Sequence, residues 1–273
     1  MMMKFAFMSF SCPDLTLAEM LSLARNTGYD GIEPRAGSNH NHGVELTADA
    51  ATRRALREQA IESEIEICCL ATSCRYADPE TVQAEIDSTL RYIDLAADVG
   101  APRLRVFGGK IGVGVLREEA IDNVAQALAA VANHAQDRGI TICLETHDDW
   151  CNPAHVAAVM TQVNHPAIAV NWDIMHPVRA GGATMESAHD ILQPWIQHVH
   201  VHDGSTRLDK LEMLPIGTGD INHFLAIELL HADNYAGYLS GEWINWEPYA
   251  VHLPRELAQL EIYLAEIALE EAA

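Results

Sequence analysis

The chain has 273 residues and a formal net charge of −22, with 17 lysine and arginine residues against 39 aspartate and glutamate residues. This acidity argues against nucleic acid or an anionic membrane surface as a partner. No stretch approaches the roughly 18 apolar residues of a membrane span, and the short apolar amino end lacks a signal-peptide cleavage site. Six scattered cysteines, three of them in predicted strands, predict reduced thiols and a cytoplasmic protein.

Predicted strands and helices alternate along the whole chain. The predicted strands cover residues 5–10, 31–35, 66–73, 103–107, 140–149, 167–172, 196–202 and 237–242. The predicted helices cover residues 15–27, 48–62, 78–99, 116–138, a segment after 152–153, 185–192, 221–232 and 254–268. Eight such units without a linker predict an α/β protein, a single (β/α)₈ TIM barrel over residues 1–273. A doubly wound sheet is the alternative, and it lacks the Gly-rich turn after strand one.

Polar side chains collect at the carboxyl ends of the last four predicted strands, where barrel enzymes place their functional residues. Side chains alternate between the two faces of a strand, so each polar set lies opposite an apolar set. The inward sets are Glu145 with His147, Asn171 with Asp173, His198 with His200 and His202, and Ser240 with Glu242. We therefore expect Glu145, Asp173, one strand-seven histidine and Glu242 to converge near the barrel axis.

A divalent cation explains this convergence better than four independent rim charges. Three carboxylates packed together repel one another, and a bound ion removes the conflict. Oxygen-rich ligation with one imidazole suits Mn²⁺, Mg²⁺ or Co²⁺, and Zn²⁺ is a further option. We expect one divalent ion, Mn²⁺ first among these.

Other polar and aromatic residues leave alternatives open. Glu33 and Arg105 face the axis by strand parity and are candidate substrate contacts, but Glu33 is equally compatible with an ion pair to Arg35 or Arg105. The loop that contains His40 and His42 is expected to be solvated. Trp243 and Trp246, which follow strand eight, are compatible with either a substrate wall or rim packing.

Taken together, these features resemble the xylose isomerase-like barrel superfamily of sugar isomerases, epimerases and related dehydratases. The markers are Gly31-Ile-Glu33, Glu145, Asp173-Ile-Met-His176, His200-Val-His-Asp203, Ile216-Gly-Thr-Gly219 and Gly241-Glu242. The resemblance implies that His200 is the strand-seven ligand. It also implies that His176 contacts the substrate or a second metal ion.

At several positions this chain differs from particular members of the superfamily, and these differences limit which activities the resemblance implies. Endonuclease IV carries additional histidines, one of them near strand four, where this chain has Val106-Phe-Gly-Gly-Lys110. Ketose 3-epimerases carry a second glutamate at the position of Cys151, and their strand-seven arginine has only an approximate counterpart in Arg207. His147, two residues after Glu145, would suit a dehydratase that removes a proton α to a carbonyl.

The sequence predicts a metal-dependent isomerase or epimerase that abstracts a proton next to a carbonyl of a ketose or related polyol. The expected metal ligands are Glu145, Asp173, His200 and Glu242. The expected catalytic residues are Glu145, Glu242 and His147. The expected substrate contacts are Glu33, Arg105, His176, His202 and Arg207. A dehydratase is the main alternative, ahead of a non-catalytic binding barrel and an endonuclease IV-like enzyme. The expected partner is a small carbohydrate, without nucleic acid or membrane, and a homo-oligomer is left open.

Overall fold

Parallel strands surround one axis in the computed structural model of the chain, which describes residues 3–271. We number the strands by their position in the barrel, and the third position is occupied by two consecutive segments. The strands are β1 (Lys4–Met8), β2 (Gly31–Glu33), β3 (Glu66–Ile67 and Leu70–Arg75), β4 (Arg103–Phe107), β5 (Thr141–Glu145), β6 (Ile168–Asp173), β7 (Ile196–Val201) and β8 (Tyr238–Gly241).

Helices connect the strands. They are α1 (Leu17–Thr27), α2 (Ala50–Ser63), α3 (Val82–Val99), α4 (Arg117–Asp137), α5 (Pro153–Val163), α6 (Met175–Arg179), α7 (Met185–Leu192), α8 (His223–Ala232) and α9 (Tyr249–Glu271). Local chemistry sets several of the boundaries. For example, α1 starts with a capping box, because the Thr16 N–H donates to Glu19 at 2.8 Å, and it ends at Gly28 with a φ of 99°.

The strand order shows that the sheet closes into a barrel. All neighbouring strands pair in parallel, and β1 lies between β2 and β8. The two ends of the sheet are the two segments of β3, which are joined only by residues 68–69. A parallel bridge from Arg35 to Ala71, with Ala71 N donating to Pro34 O at 2.9 Å, connects β2 to the second segment. The chain is thus a (β/α)₈ barrel and not a doubly wound open sheet.

Several boundaries differ from those predicted. The fifth strand ends at Glu145 and not at residue 149, because a 3₁₀ turn at Asp148–Trp150 follows, with Asp148 at a φ of 51°. The last helix begins at Tyr249, and Pro254 lies inside it instead of opening it. The structure also contains α6 and a short antiparallel pair, Asp203–Gly204 with Met213–Leu214, which the sequence did not predict.

The barrel core follows the predicted alternation. The apolar faces of β6 and β7, with Val170, Trp172, Val199 and Val201, are buried in the same cluster as helix residues such as Val156. All six cysteines are free and buried, in agreement with the predicted thiols. Between residues 3 and 271, no helix has the length and apolar character needed to cross a membrane.

Candidate metal and active site

Four side chains from consecutive barrel strands meet at the carboxyl end of the barrel. Glu145 ends β5, Asp173 ends β6, His200 lies in β7 and Glu242 follows β8. One candidate ligand atom from each residue lies within 4.8 Å of those of the other three, and all four residues are buried. The structure therefore brings together the four residues that the sequence predicted to converge. We call them the metal cluster.

His200 is held by carboxylates on both of its ring nitrogens. Its Nδ1 lies 3.0 Å from Glu145 Oε1 and 3.5 Å from Glu242 Oε2, so it faces the cluster. Its Nε2 lies 3.1 Å from Glu33 Oε1, and the other Glu33 oxygen lies 2.8 Å from His198 Nε2. Glu33 thus pairs with two histidines, and neither of the arginine ion pairs considered from sequence is formed.

The electrostatics of the cluster favour a positive charge at its centre. Burial by itself raises the pKa of Glu33, but the charges of His200 and His198 outweigh it and hold that pKa well below the usual range. Burial also opposes ionisation of Glu242, yet the hydrogen bond from His200 and nearby cations lower its pKa to about 2. Burial lowers the pKa of His200, but Glu33 and Glu145 more than compensate and raise it well above normal. A cation at this point is therefore stabilised by its surroundings.

Arg105 lies behind the two glutamates of the metal cluster. Its Nε is 3.1 Å from Glu145 Oε2, and its Nη2 is 3.9 Å from Glu242 Oε1. Its Nη1 donates to Thr72 O at 2.7 Å, and its guanidinium lies 4.1 Å from the ring centroid of Phe107. The side chain is 1% exposed, so Arg105 holds the glutamates from within the barrel.

Asp173 is fixed by contacts to both of its oxygens. Oδ1 accepts the backbone N–H groups of Met175 at 2.9 Å and His176 at 3.1 Å, at the start of α6. Oδ2 lies 2.8 Å from His202 Nε2 and 3.9 Å from His176 Nε2. Burial disfavours the carboxylate, but His202 and His176 outweigh it and lower the pKa of Asp173. The predicted substrate contacts His176 and His202 therefore both border the cluster.

His147 also faces this region, although it lies beyond the end of β5. Its ring centroid is 4.5 Å from that of His176 and 4.9 Å from that of Phe107. Burial lowers its pKa, but the hydrogen bond to Asp148 at 3.1 Å and the charge of Glu145 raise it to about 9. The strand parity used in the prediction does not extend to His147, because the chain turns at Thr146, where the His147 N–H donates to Glu145 O at 3.0 Å.

The remaining predicted residues lie outside the metal cluster. Arg207 is 74% exposed on the loop after β7, where it pairs with Asp209 at 2.8 Å. Trp243 and Trp246 pack against His252, with ring centroids 5.1 and 5.4 Å away, which is rim packing. His42 is buried and not solvated as expected: its Nδ1 accepts from Val44 N at 3.0 Å and its Nε2 faces Arg35 O at 3.3 Å.

Arg35, at this end of the barrel, was considered from sequence only as an ion-pair partner for Glu33. Arg35 is buried, and its backbone N–H donates to Ser9 Oγ at 2.8 Å. Its guanidinium contacts Ser73 Oγ. The signal that could have identified it is strand parity, since Arg35 shares the inward face with Glu33.

Comparison with known proteins agrees with this architecture. A family model described as "Xylose isomerase-like TIM barrel" matches residues 21–260. The chain is similar to the 3-dehydroshikimate dehydratase of Bacillus anthracis, at 20% identity over 194 residues, 70% of this chain and 68% of that protein. It is also similar to the 2-epi-5-epi-valiolone 7-phosphate 2-epimerase of an Actinoplanes species, at 25% identity over 214 residues, 76% of each chain.

A solved structure shows the same fold at low identity. The structure of an L-ribulose 3-epimerase superposes with a TM-score of 0.81 at 19% identity, covering 99% of this chain and 97% of that one. The three similar proteins described here are enzymes, two epimerases and one dehydratase.

Proposed function

The chain belongs to the xylose isomerase-like TIM barrel family, and from this premise we propose that it is a divalent-metal-dependent sugar isomerase or epimerase. It would remove a proton next to the carbonyl of a ketose or related polyol. The observation that carries the proposal is the convergence of Glu145, Asp173, His200 and Glu242 within 4.8 Å of one another. The expected small carbohydrate partner, cytoplasmic location and possible self-association belong to the same proposal.

The donor set fits one divalent ion. Three carboxylates and one imidazole suit Mn²⁺ first, and Mg²⁺, Co²⁺ or Zn²⁺ as substitutes. The raised pKa of His200, which Glu33 and Glu145 cause against the effect of burial, supports the fit, because it marks a position that stabilises positive charge. When bound, the ion supplies Lewis-acid polarisation of a substrate carbonyl.

The two glutamates are the proposed proton-transfer groups. Glu145 and Glu242 come from strands that are not adjacent, so their carboxylates approach a ligand from different directions. One removes the proton and the other returns it on the opposite side. Asp173 has a structural role in this proposal, because two backbone N–H groups hold its Oδ1 in place.

Glu33 and Arg105 are better suited to positioning than to the substrate contacts predicted from sequence. Both side chains are almost completely buried behind the cluster, at 0% and 1% exposure. Because Glu33 occupies Nε2 of His200, Nδ1 is left free for the ion, which is the usual carboxylate–histidine–metal arrangement. His176 and His202 remain the proposed substrate contacts nearest the cluster, and the contact of Arg207 remains a prediction.

A dehydratase is the second candidate, and one observation favours it. His147 lies at 32% exposure beside His176, where its ring could donate a proton to a leaving hydroxyl next to the metal cluster. The similarity to a 3-dehydroshikimate dehydratase points in the same direction. Both candidates use the same metal cluster and differ in the fate of the substrate after proton removal.

Incubation in D₂O distinguishes these functions. The Mn²⁺-loaded protein is given a panel of ketoses, inososes and 3-dehydroshikimate, and the products are analysed by NMR and mass spectrometry. We expect deuterium at a stereocentre next to the carbonyl. An unsaturated product would establish the dehydratase instead, and the absence of both from the whole panel would contradict the proposed enzyme.

A further inference from the structure

Arg35 is a buried cation on the opposite side of the barrel mouth from Asp173. It shares the inward face of β2 with Glu33 but lies two residues nearer the carboxyl end of the barrel. Its bridge to Ala71 continues the strand pairing and holds its backbone in place. The residue is only 6% exposed. Within residues 3–271, no carboxylate forms an ion pair with it.

The guanidinium of Arg35 is poorly compensated for a buried charge. Its hydrogen bonds go to two neutral acceptors, Ala36 O and Ser73 Oγ, although a guanidinium carries five N–H donors. Burial, together with the nearby positive charge of Arg105, lowers the pKa of Arg35 to about 10. Buried charges in proteins are normally paired, so an unpaired arginine at the mouth of a barrel is available to an anion.

The groups that form hydrogen bonds with Arg35 are neutral. Ser9 Oγ accepts the Arg35 N–H at 2.8 Å and lies 2.8 Å from His40 Nδ1. Burial and the charge of Arg35 lower the pKa of His40, which favours its neutral ring. Two carboxylates act electrostatically on Arg35 without forming an ion pair with it: Glu242, which belongs to the metal cluster, and Glu45, whose two oxygens accept a backbone N–H at 3.0 and 2.9 Å. We call Ser9, Arg35, His40 and Ser73 the basic side of the mouth.

We propose that Arg35 binds an anionic group of the substrate, a carboxylate or a phosphate, at the end away from the reacting carbonyl. This inference rests on the proposed function, because it orients a substrate whose carbonyl lies at the metal cluster. The planar guanidinium matches both anions through paired N–H donors. The substrate class would then be acidic sugars or sugar phosphates and not neutral ketoses.

Two matched pairs of compounds test the phosphate and the carboxylate separately. The first pair is a ketopentose and its 5-phosphate, and the second is the methyl ester of 3-dehydroshikimate and 3-dehydroshikimate itself. Turnover and calorimetric binding of each compound are measured on the Mn²⁺-loaded wild-type protein and on Arg35→Gln, Arg35→Lys and Arg25→Gln. Arg25 is the control, because it pairs with Glu64 at 2.9 Å on the protein surface. Thermal unfolding establishes that each variant is folded.

We expect the wild type to prefer the charged member of one pair by at least about 30-fold in kcat/KM, the usual scale for removing a buried charge partner. Arg35→Gln should remove that preference, Arg35→Lys should restore part of it, and Arg25→Gln should leave it intact. The pair that shows the preference identifies the anion as phosphate or carboxylate.

Equal use of charged and neutral compounds by the wild type would overturn the inference. So would an equal loss of both in folded Arg35→Gln, since that would mark a general structural role. If no compound is turned over, calorimetry provides the test. Anion binding to the wild type that is lost in Arg35→Gln would support the anion site at Arg35, and no anion binding to the wild type would contradict it. Absence of turnover would in that case contradict the proposed enzymatic function, independently of the anion site at Arg35.

Discussion

The two sides of the barrel mouth carry opposite charges. On one side, β5 to β8 contribute the acidic metal cluster, with Glu145, Asp173 and Glu242 around His200. On the other, β1 to β3 contribute the basic side, where Arg35 is buried without a carboxylate partner in the part of the chain that the structure describes. The acidic side is suited to a cation and to proton transfer, and the basic side to recognition of a substrate anion.

Arg105 shows why the two arginines differ although both are buried. Its charge is neutralised by Glu145 at 3.1 Å, so it stabilises the acidic side from within. Arg35 forms no ion pair with a carboxylate within residues 3–271, and its guanidinium contacts Ala36 O and Ser73 Oγ. A buried charge thus contributes to structure when it is paired and is available to a ligand when it is not.

Removal of the metal should have the largest effect and should act on the acidic side alone. Chelation followed by dialysis is expected to lower turnover by about 10³-fold or more, because Lewis-acid stabilisation of a developing oxyanion is worth several kcal/mol. Addition of Mn²⁺ should restore turnover, and metal analysis checks that the chelated protein is empty. Full activity in the metal-free protein would show that the cluster has no catalytic ion.

Glu145→Gln and Glu242→Gln should each lower turnover by roughly 10²-fold or more while keeping detectable Mn²⁺. The amide retains the shape and one oxygen ligand but lacks basicity. Rates and Mn²⁺ content are measured on the same samples, with His147→Ala beside them. Near-normal solvent-proton exchange at the substrate carbon in both amide variants would move the base to His147, and the dehydratase would then be favoured.

Glu33→Gln should weaken Mn²⁺ binding by about 10- to 100-fold, the usual range for a group that orients a metal-bound histidine. The acid at this position accepts from both His200 and His198, and an amide cannot accept from both in the same way. Calorimetry measures the affinity, and ¹⁵N NMR of the metal-free protein reports the protonation state of His200. Unchanged affinity together with an unchanged protonation state would remove Glu33 from this role.

The last prediction concerns His42, whose Nε2 lies 3.3 Å from Arg35 O, and it is measured as stability and not as turnover. Burial lowers the pKa of His42 to about 4, below an unfolded value near 6.5. The unfolded chain therefore binds a proton first as pH falls, so the stabilisation is present above pH 6.5 and is lost between pH 6.5 and 4. The full loss amounts to about 3 kcal/mol.

Urea unfolding of the wild type and of His42→Gln at pH 7, 6, 5 and 4 checks this expectation. The variant should lose stability less steeply than the wild type over this range. His165→Gln, at the amino end of β6, serves as a control and should follow the wild type. Parallel curves for His42→Gln and the wild type would show that His42 is not the titrating group.

Much of the fold and the acidic side could be predicted because both depend on strand periodicity. Glu145, Asp173, His200 and Glu242 share an inward parity near the strand ends, and a closed barrel then has to bring them together. His147 shows the limit of this reasoning. Its ring reaches the site from beyond the end of the strand, where the chain turns at Thr146 and the His147 N–H donates back to Glu145 O at 3.0 Å.

The role of the basic side was harder to predict, because it depends on Arg35 having no carboxylate ion-pair partner within residues 3–271. From the sequence, Arg35 was considered only as an ion-pair partner of Glu33, and the pairing of Glu33 with His198 and His200 was not predicted. The sequence did not predict that His42 is buried, for a related reason. Its two backbone contacts, to Val44 and Arg35, depend on how a polar loop folds back, which side-chain periodicity does not encode.

The most direct test of this account is Mn²⁺ binding, measured by electron paramagnetic resonance titration of the wild type, Asp173→Asn and Arg35→Gln. The asparagine keeps an oxygen for the N–H groups of Met175 and His176 but removes the charge. We expect one Mn²⁺ per chain in the wild type and in Arg35→Gln, and binding weakened at least tenfold in Asp173→Asn. No Mn²⁺ in the wild type, or equal binding in wild type and Asp173→Asn, would contradict it.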